Sequence, residues 1–190
     1  MRIFDTPESL VAAVGERLGE SGYRPVLAAE ILRFAELTGD RQWIHTDPDA
    51  ARAGPFGGLV AHGFLTLSLL TTMLDEVLTV RGADLVVNKG LDRLRFGRPI
   101  LVGADLRIVA DLAEAAIRPK HFTEAVIAVR GEVRGQPGWA YSARLRLLFR
   151  RATPTLATPT VAAPTVATPT VAAPTPATSP SSTAAGFTGR

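Results

Sequence analysis

A change in hydrophobic periodicity near residue 82 is the feature that most restricts the fold of this chain. Before it, from about Gly63 to Leu78, apolar residues occupy most of a helical circumference, and only a narrow polar seam interrupts them. A surface helix has a single apolar stripe, so this pattern predicts a helix that other structure wraps. After Arg81-Gly82 apolar residues alternate with polar ones, which is typical of strands with one buried face.

Two segments alternate most clearly, at residues 106–112 and 139–149. Their apolar positions are Leu106, Ile108, Ala110 and Leu112 in the first, and Trp139, Tyr141, Ala143, Leu145, Leu147 and Phe149 in the second. A third strand fits about 123–134, and two shorter strands fit 85–88 and 91–96. Helices followed by strands with short turns between them predict an α+β fold, in which an antiparallel sheet carries one buried helix.

The first third of the chain contains three shorter helical segments. Thr6-Pro7 opens the first, because Thr can cap a helix and Pro suits its first turn. The second covers about 28–37 and ends at Gly39, since glycine readily adopts the left-handed conformation found at helix C-termini. The third begins at Asp47-Pro48. A polar loop, residues 40–46, separates the second helix from the third.

Composition divides the chain into two parts. Residues 1–150 have the mixed composition of a globular domain, and this length is enough to enclose one hydrophobic core. Residues 151–190 are mostly Ala, Thr, Pro, Val and Ser. They offer few large side chains to bury, and their prolines lack a backbone donor, which predicts a disordered tail. A dispensable extension is the favoured interpretation of this tail, ahead of a spacer or a partner-binding arm.

Charge and composition exclude several classes of function. The formal net charge is +3, but two of the 21 basic residues, Arg151 and Arg190, lie in the tail, which has no acidic residue. Residues 1–150 therefore carry 19 basic and 18 acidic side chains, a net charge of +1, which is not typical of a nucleic-acid-binding protein. The absence of cysteine excludes disulfides and thiolate chemistry. The N-terminus lacks the apolar run of a secretory signal, and the most apolar stretch, 64–80, is too polar to cross a bilayer. We therefore expect a cytoplasmic protein without nucleic-acid or membrane partners.

The polar loop at 40–46 carries the residues best suited to chemistry. Asp40 and His45 lie five positions apart between two helices that hold the ends of the loop, so both side chains can face one cavity. A carboxylate and an imidazole together can hold a water molecule and exchange its protons, as general acid–base catalysis requires. Such a pair also arises by chance: Asp40 could cap a turn, and His45 could be an ordinary loop histidine.

The start of the wrapped helix is a second candidate site. Backbone N–H groups in the first turn of a helix lack helical partners, and the helix dipole adds partial positive charge there. Gly63 has no Cβ, so a substrate carbonyl could approach its N–H, which would stabilise a developing oxyanion. The alternative is that Gly63 only permits close packing. His62 is interpreted as a capping or packing residue, and His121 as a surface or turn residue.

The segments around these two sites resemble the MaoC-like dehydratases, a family that includes the (R)-specific enoyl-CoA hydratases and the nodulation protein N group. The resemblance rests on Gly-Asp-Arg-Gln-Trp-Ile-His-Thr-Asp-Pro from Gly39 and on Ala-His-Gly-Phe-Leu-Thr-Leu-Ser-Leu-Leu from Ala61. The amino-acid sequences of both segments are most similar to the nodulation protein N branch. The resemblance covers roughly residues 1–150 and leaves out the tail.

This resemblance implies a hot-dog fold, in which a curved antiparallel sheet wraps one long central helix, and a homodimer. It implies a hydro-lyase that reversibly hydrates trans-2-enoyl thioesters to (R)-3-hydroxyacyl thioesters, carried by coenzyme A or acyl carrier protein. The catalytic pair of the family falls on Asp40 and His45, its oxyanion-binding N–H on Gly63, and its assisting hydroxyl on Ser68 or Thr71. No metal ion or redox cofactor is implied.

Two other functions are less favoured. A hot-dog thioesterase generally places a carboxylate on or beside the central helix, where the acids of this chain are Asp75 and Glu76, about three turns from Gly63. A non-catalytic acyl-thioester-binding protein would need neither Asp40 nor His45.

Overall fold

The structure, a computed structural model, describes residues 1–153. Residues 154–190 lie outside this part, so the predicted disorder of the tail stays a prediction. The strands are β1 (Arg2–Phe4), β2 (Arg17–Glu20), β3 (Arg24–Pro25), β4 (Leu78–Val80), β5 (Ala83–Phe96), β6 (Asp105–Arg118), β7 (Phe122–Val133) and β8 (Tyr141–Arg151). The helices are a 3-10 helix (Pro7–Ala13), α1 (Ala28–Thr38), α2 (Trp43–Thr46), α3 (Pro48–Ala53), α4 (Gly63–Ser68) and α5 (Leu70–Asp75).

One antiparallel sheet organises the molecule. Its strands follow the order β2, β6, β7, β8, β5, and β3 pairs with β6 beside β2. The central strands β6 and β7 pair from Leu106 opposite Val133 to Arg118 opposite Phe122. This topology confirms the predicted α+β class and the antiparallel sheet.

The predicted alternation corresponds to burial on one face of the sheet. The apolar residues of β6 that alternate, namely Leu106, Ile108, Ala110 and Leu112, are fully buried, and those of β8, namely Tyr141, Ala143, Leu145, Leu147 and Phe149, are buried as well. Trp139 is the exception, because it precedes β8 and is exposed. Gly135 and Gly138 both have positive φ angles and turn the chain just before it.

The two short strands predicted at 85–88 and 91–96 both lie within a strand, but they form one strand, β5, so the predicted division is wrong. Its pairing with β8 shifts register at three places, including the step from Asn88 to Gly90 and the step from Asp92 to Arg95. Arg93 has a positive φ of 52° at the last of these irregularities. Bulges of this kind interrupt the alternation of side chains without ending the strand.

The predicted continuous helix from Gly63 to Leu78 is shorter and interrupted. Leu69 separates α4 from α5, although its own backbone is right-handed helical, and α5 ends at Asp75. Hydroxyl groups bond to helix carbonyls on both sides of this point: Ser68 Oγ donates to Phe64 O at 2.8 Å, and Thr72 Oγ1 donates to Leu69 O at 3.1 Å. Such back-bonding competes with the helical ladder and often bends helices.

The N-terminus accounts for the early end of the helix. Leu78 and its two successors form β4, which pairs in parallel with β1, so that Arg2 lies opposite Leu78. This long-range pairing was not predicted. The first helical segment is a 3-10 helix rather than an α-helix, and Thr6 makes no side-chain cap bond to it.

The helix pair α4–α5 packs on the sheet through one side and leaves the other side open. Residues on the packed side, Leu65, Leu67, Leu70, Met73 and Leu74, belong to the same hydrophobic core as the buried residues of β6, β7 and β8. The polar seam, with Ser68 and Thr71, is exposed. Within residues 1–153, no helix has the length and apolar character needed to cross a membrane.

Candidate active site

The C-terminal end of helix α1 positions Asp40 in the site. Gly39 ends the helix with a left-handed φ of 77°, and its N–H donates to Ala35 O at 2.9 Å, which confirms the predicted stop. Asp40 follows at once, with an exposed side chain. The chain therefore leaves α1 in a direction that presents the Asp40 carboxylate at the surface of the domain.

Helix α2 positions His45. The predicted loop at 40–46 contains this single helical turn, which Asp47 N–H closes by donating to Trp43 O at 3.0 Å. The Asp47 carboxylate caps α3 by accepting hydrogen bonds from Asp49 N–H at 3.1 Å and Ala50 N–H at 3.0 Å. Asp47 is thus a capping residue, as predicted.

The buried ring of His45 has a defined tautomer. The side chain is only 7% exposed, and its Nδ1 lies 2.6 Å from the carbonyl oxygen of Val60. Because a carbonyl can only accept, Nδ1 must carry the proton in this bond. The Nε2 atom of neutral His45 is then unprotonated and is the nitrogen that can accept a proton from a reactant.

Asp40 and His45 lie within reach of one water molecule. One carboxylate oxygen of Asp40 and one ring nitrogen of His45 are no more than 4.8 Å apart. Two hydrogen bonds of about 2.8 Å each can span this distance through a single oxygen atom. The structure brings together the two residues that the sequence paired.

His62 is a third member of this cluster that the sequence interpretation did not place in the site. It is 3% exposed, its Nε2 lies 3.0 Å from the backbone oxygen of Asp40, and its ring stacks on that of His45 with the centroids 3.7 Å apart. The packing interpretation of His62 is confirmed, whereas the capping interpretation is wrong, because its side chain makes no cap bond to α4. The one feature of the sequence that could have placed His62 in the site is its position directly before Gly63.

The same three side chains form a cluster that could be considered for a metal ion. Asp40, His45 and His62 each offer a ligand atom within 4.8 Å of the others. Ligands on a zinc ion converge on one point at distances of about 2.0–2.2 Å. Nδ1 of His45 and Nε2 of His62 each face a backbone carbonyl oxygen, at 2.6 Å and 3.0 Å, which leaves one nitrogen on each ring for other contacts.

Gly63 begins α4 immediately after His62. The first helical bond of α4 runs from Thr66 N–H to His62 O, so the Gly63 N–H has no helical acceptor. A Cβ on Gly63 would come within 2.9 Å of the Phe96 ring. The space beside Gly63 is thus filled by Phe96, as the close-packing alternative expects, and its N–H makes no hydrogen bond within residues 1–153.

Ser68 and Thr71 line a cavity of about 700 Å³ beside α4 and α5, and Leu67, Leu70 and Leu74 of the packed side line it too. Most of the other lining residues are apolar and come from the two helices, β4, β5 and β8. Asp40, His45 and His62 do not line it, and Phe64 is the lining residue nearest to them in sequence. The cavity also contains Asp75, whereas Glu76 accepts a hydrogen bond from Gly22 N–H at 2.8 Å. An apolar cavity beside the helix suits a hydrocarbon chain.

Comparisons with known proteins identify the family. The family profile described as MaoC like domain matches residues 9–132. The chain is 40% identical over 135 residues to 3-hydroxyacyl-thioester dehydratase Z of Mycobacterium tuberculosis, and the match covers 71% of this chain and 89% of that protein. It is 42% identical over 107 residues to nodulation protein N of Rhizobium leguminosarum bv. viciae, which covers 55% of this chain and 66% of that relative.

Solved structures agree with this identification. The (R)-hydratase from A. caviae involved in PHA biosynthesis superposes with a TM-score of 0.57 at 25% sequence identity, covering 70% of this chain and 94% of that one. The hot-dog fold implied by the sequence is therefore confirmed. Because the family profile spans more than half of its residues, this chain belongs to the MaoC-like domain family.

Proposed function

We propose that this protein is a hydro-lyase that reversibly hydrates trans-2-enoyl thioesters to (R)-3-hydroxyacyl thioesters. The observation that carries this proposal is the approach of the Asp40 carboxylate to a His45 ring nitrogen within 4.8 Å. The names of its relatives, among them 3-hydroxyacyl-thioester dehydratase Z and (R)-specific enoyl-CoA hydratase, support the same reaction class. The proposed chemistry uses only the side chains and backbone of the protein.

In the proposed reaction Asp40 and His45 hold a water molecule against C3 of the substrate. The Val60 carbonyl keeps the His45 proton on Nδ1, so Nε2 is free to share the protons of the water. As the hydroxyl group adds to C3, a proton passes to C2 on the same side, and negative charge develops transiently on the thioester oxygen. General acid–base catalysis of this kind typically contributes a rate factor of about 10²–10⁴.

The proposed oxyanion donor is the Gly63 N–H at the start of α4. A hydrogen-bond donor directed at a developing oxyanion lowers the barrier by about 3 kcal/mol. In this arrangement the acyl chain extends from Gly63 past Phe64 into the cavity, where Ser68 and Thr71 are the polar lining groups of α4 and α5 nearest to Gly63 in sequence. Either coenzyme A or acyl carrier protein is a suitable carrier of the thioester.

We also propose that the protein works as a homodimer in the cytoplasm. Strand β5 is at one end of the main sheet and exposes several large apolar residues, among them Leu85, Val86, Val87 and Leu91. An uncovered apolar edge strand can pair with another chain, and association with a second copy would bury these residues. Part of the cavity lining, including Val86 and Leu91, belongs to the same strand.

Purified protein mixed with crotonyl-CoA tests the proposed reaction. The expected result is loss of the enoyl-thioester absorbance and formation of (R)-3-hydroxybutyryl-CoA, with no release of free thiol. Release of thiol would instead identify a thioesterase, for which Asp75 in the cavity is the candidate acid. Binding of crotonyl-CoA without a change in absorbance would identify a non-catalytic binding protein.

A further inference from the structure

We propose that His62 is a positioning residue that holds both Asp40 and His45 in their reactive arrangement. It does so through a hydrogen bond to one residue and a ring stack on the other. This inference rests on the proposed hydration reaction, in which Asp40 and His45 act together.

The hydrogen bond fixes the backbone at Asp40. His62 Nε2 lies 3.0 Å from the Asp40 carbonyl oxygen, and since that oxygen can only accept, Nε2 carries the proton. Asp40 itself is exposed and stands just after the end of α1. Asp40 has two other hydrogen bonds, both to near neighbours: its N–H donates to Thr38 Oγ1 at 3.3 Å, and its carboxylate accepts from Gln42 N–H at 3.5 Å. His62 adds a buried donor from 22 positions further along the chain, which fixes the backbone at Asp40 relative to the start of α4.

The ring stack restricts the plane of His45. The two imidazoles are 3.7 Å apart between centroids and lie within 23° of parallel. His45 is thereby held by two contacts, its Nδ1 bond to Val60 O and the face of His62. Rotation of the His45 ring, which would move Nε2 away from the water, is opposed by both.

His62 is itself firmly held, as a positioning residue must be. The ring of Phe34 in α1 packs against the His62 ring, with the centroids 5.1 Å apart. The preceding residue, Ala61, is held by its N–H, which donates to Ile100 O at 2.8 Å. His62 therefore connects α1, α2 and the start of α4. These are the elements that carry Asp40, His45 and Gly63.

His62 is not placed to exchange protons with a substrate. Its Nε2–H is taken by the Asp40 carbonyl, and its Nδ1 is buried without a hydrogen-bond partner among residues 1–153. A group of this kind acts through its neighbours rather than on the reacting atoms. Misplacement of catalytic groups by 1 Å can cost about a hundredfold in rate, so loss of the Asp40 contact should appear in kcat.

Two substitutions separate the two contacts of His62. His62→Phe keeps an aromatic ring for the stack but loses the donor, whereas His62→Gln keeps an amide N–H near the position of Nε2 and loses the ring. The expected result on crotonyl-CoA is a fall in kcat of about tenfold to a hundredfold for His62→Phe with KM within about threefold, and partial recovery of kcat in His62→Gln. The matched control is His121→Asn, because His121 is exposed in a turn with a positive φ.

A spectroscopic measurement on the unsubstituted protein does not depend on activity or on the folding of variants. The ¹H–¹⁵N imidazole spectrum should show His62 with its proton on Nε2 and His45 with its proton on Nδ1. A different tautomer for His62, or a His62→Phe variant with wild-type kcat, would overturn the positioning role. Inactive wild-type protein with the expected tautomers would instead contradict the proposed hydration reaction and leave the contacts of His62 established.

Discussion

The ring of Phe96 occupies the space that a side chain at Gly63 would fill. A Cβ placed on Gly63 would lie 2.9 Å from two carbon atoms of this ring, closer than ordinary van der Waals contact. Phe96 is 46% exposed and lies at the end of β5, so its ring has room to move aside. The start of α4 is therefore closely packed on one side, where the proposed oxyanion donor also lies.

We expect Gly63→Ala to reduce activity with little effect on stability. The added methyl group displaces the Phe96 ring and crowds the N–H that the thioester oxygen must approach. Activity on crotonyl-CoA should fall about tenfold or more, since loss of one oxyanion donor costs about 10²–10³. The free energy of unfolding, measured with urea, should change by less than about 1 kcal/mol, because an exposed ring yields more easily than a packed core.

Gly58→Ala is the matched control for this substitution, because a Cβ at Gly58 has no heavy atom within 4 Å. It should leave both activity and stability unchanged. Wild-type activity in Gly63→Ala would show that Gly63 serves only in packing.

Thr71 is expected to contribute more to catalysis than Ser68. The Ser68 hydroxyl donates its proton to Phe64 O, whereas the Thr71 hydroxyl makes no hydrogen bond within the described part of the chain and is free to donate to a substrate. Thr71→Val should lower kcat/KM on crotonyl-CoA by about threefold to tenfold, in line with a neutral hydrogen bond of about 1 kcal/mol. Ser68→Ala should lower it less.

Thr72→Val is the control for this comparison, since Thr72 bonds to Leu69 O and does not line the cavity. A larger loss in Ser68→Ala than in Thr71→Val would reverse the assignment.

Glu124 makes the free energy of unfolding depend on pH in the acid range. Its side chain is 4% exposed and pairs with Arg146, Arg118 and Lys89. The hydrogen bond from Arg146, which outweighs the opposing effect of burial, together with that from Arg118 and the charge of Lys89, lowers the pKa of Glu124 to about 2. Because the folded pKa is below the usual value of 4.5, this stabilisation is complete above pH 4.5 and is lost as the pH falls towards 2.

Urea unfolding between pH 7 and pH 2.5 measures this effect. Glu124→Gln should lower the free energy of unfolding at pH 7 by about 1–3 kcal/mol, and the difference from wild type should shrink below pH 4. The control is Glu114→Gln, because Glu114 pairs with Arg144 at an exposed position and should contribute less than about 1 kcal/mol. A Glu124→Gln penalty that persists unchanged at pH 2.5 would contradict the ionic origin of the stabilisation.

The exposed apolar residues of β5 lead us to expect a dimer in solution. Sedimentation equilibrium of the wild type should give about twice the chain mass of 20.1 kDa. Val87→Glu, which places a charge on this strand where Val87 is partly exposed, should shift the protein towards monomer. A monomeric wild type at micromolar concentration would contradict the dimer.

The sequence predicted those parts of the fold in which local pattern and burial coincide. Alternation in β6 and β8 identified strands because one face of each lies in the core. The same reasoning divided β5 in two, since its bulges near Gly90 and Arg93 break the alternation while pairing continues. The parallel pairing of β1 with β4 joins residues about 76 positions apart, and no local pattern reveals such a partner.

In the site, too, the sequence predicted the residues that share a local motif and missed those that depend on long-range contacts. Asp40 and His45 were predicted because they share one loop and one recognisable motif. His62 was interpreted as a packing residue, since its contacts with Asp40 and His45 depend on how the chain returns from α3 to α4. Local spacing cannot show a stacked ring or a bond to a backbone carbonyl 22 positions away.

The most direct test of the proposed chemistry is the rate of crotonyl-CoA hydration by Asp40→Asn and His45→Ala. Asp40→Asn changes an exposed side chain without changing its shape, so folding should be retained, and Asp49→Asn is the matched control at another exposed aspartate. We expect each active-site substitution to lower kcat about a hundredfold or more and the control to retain wild-type activity. A folded Asp40→Asn variant that hydrates crotonyl-CoA at the wild-type rate would contradict catalysis by the Asp40–His45 pair.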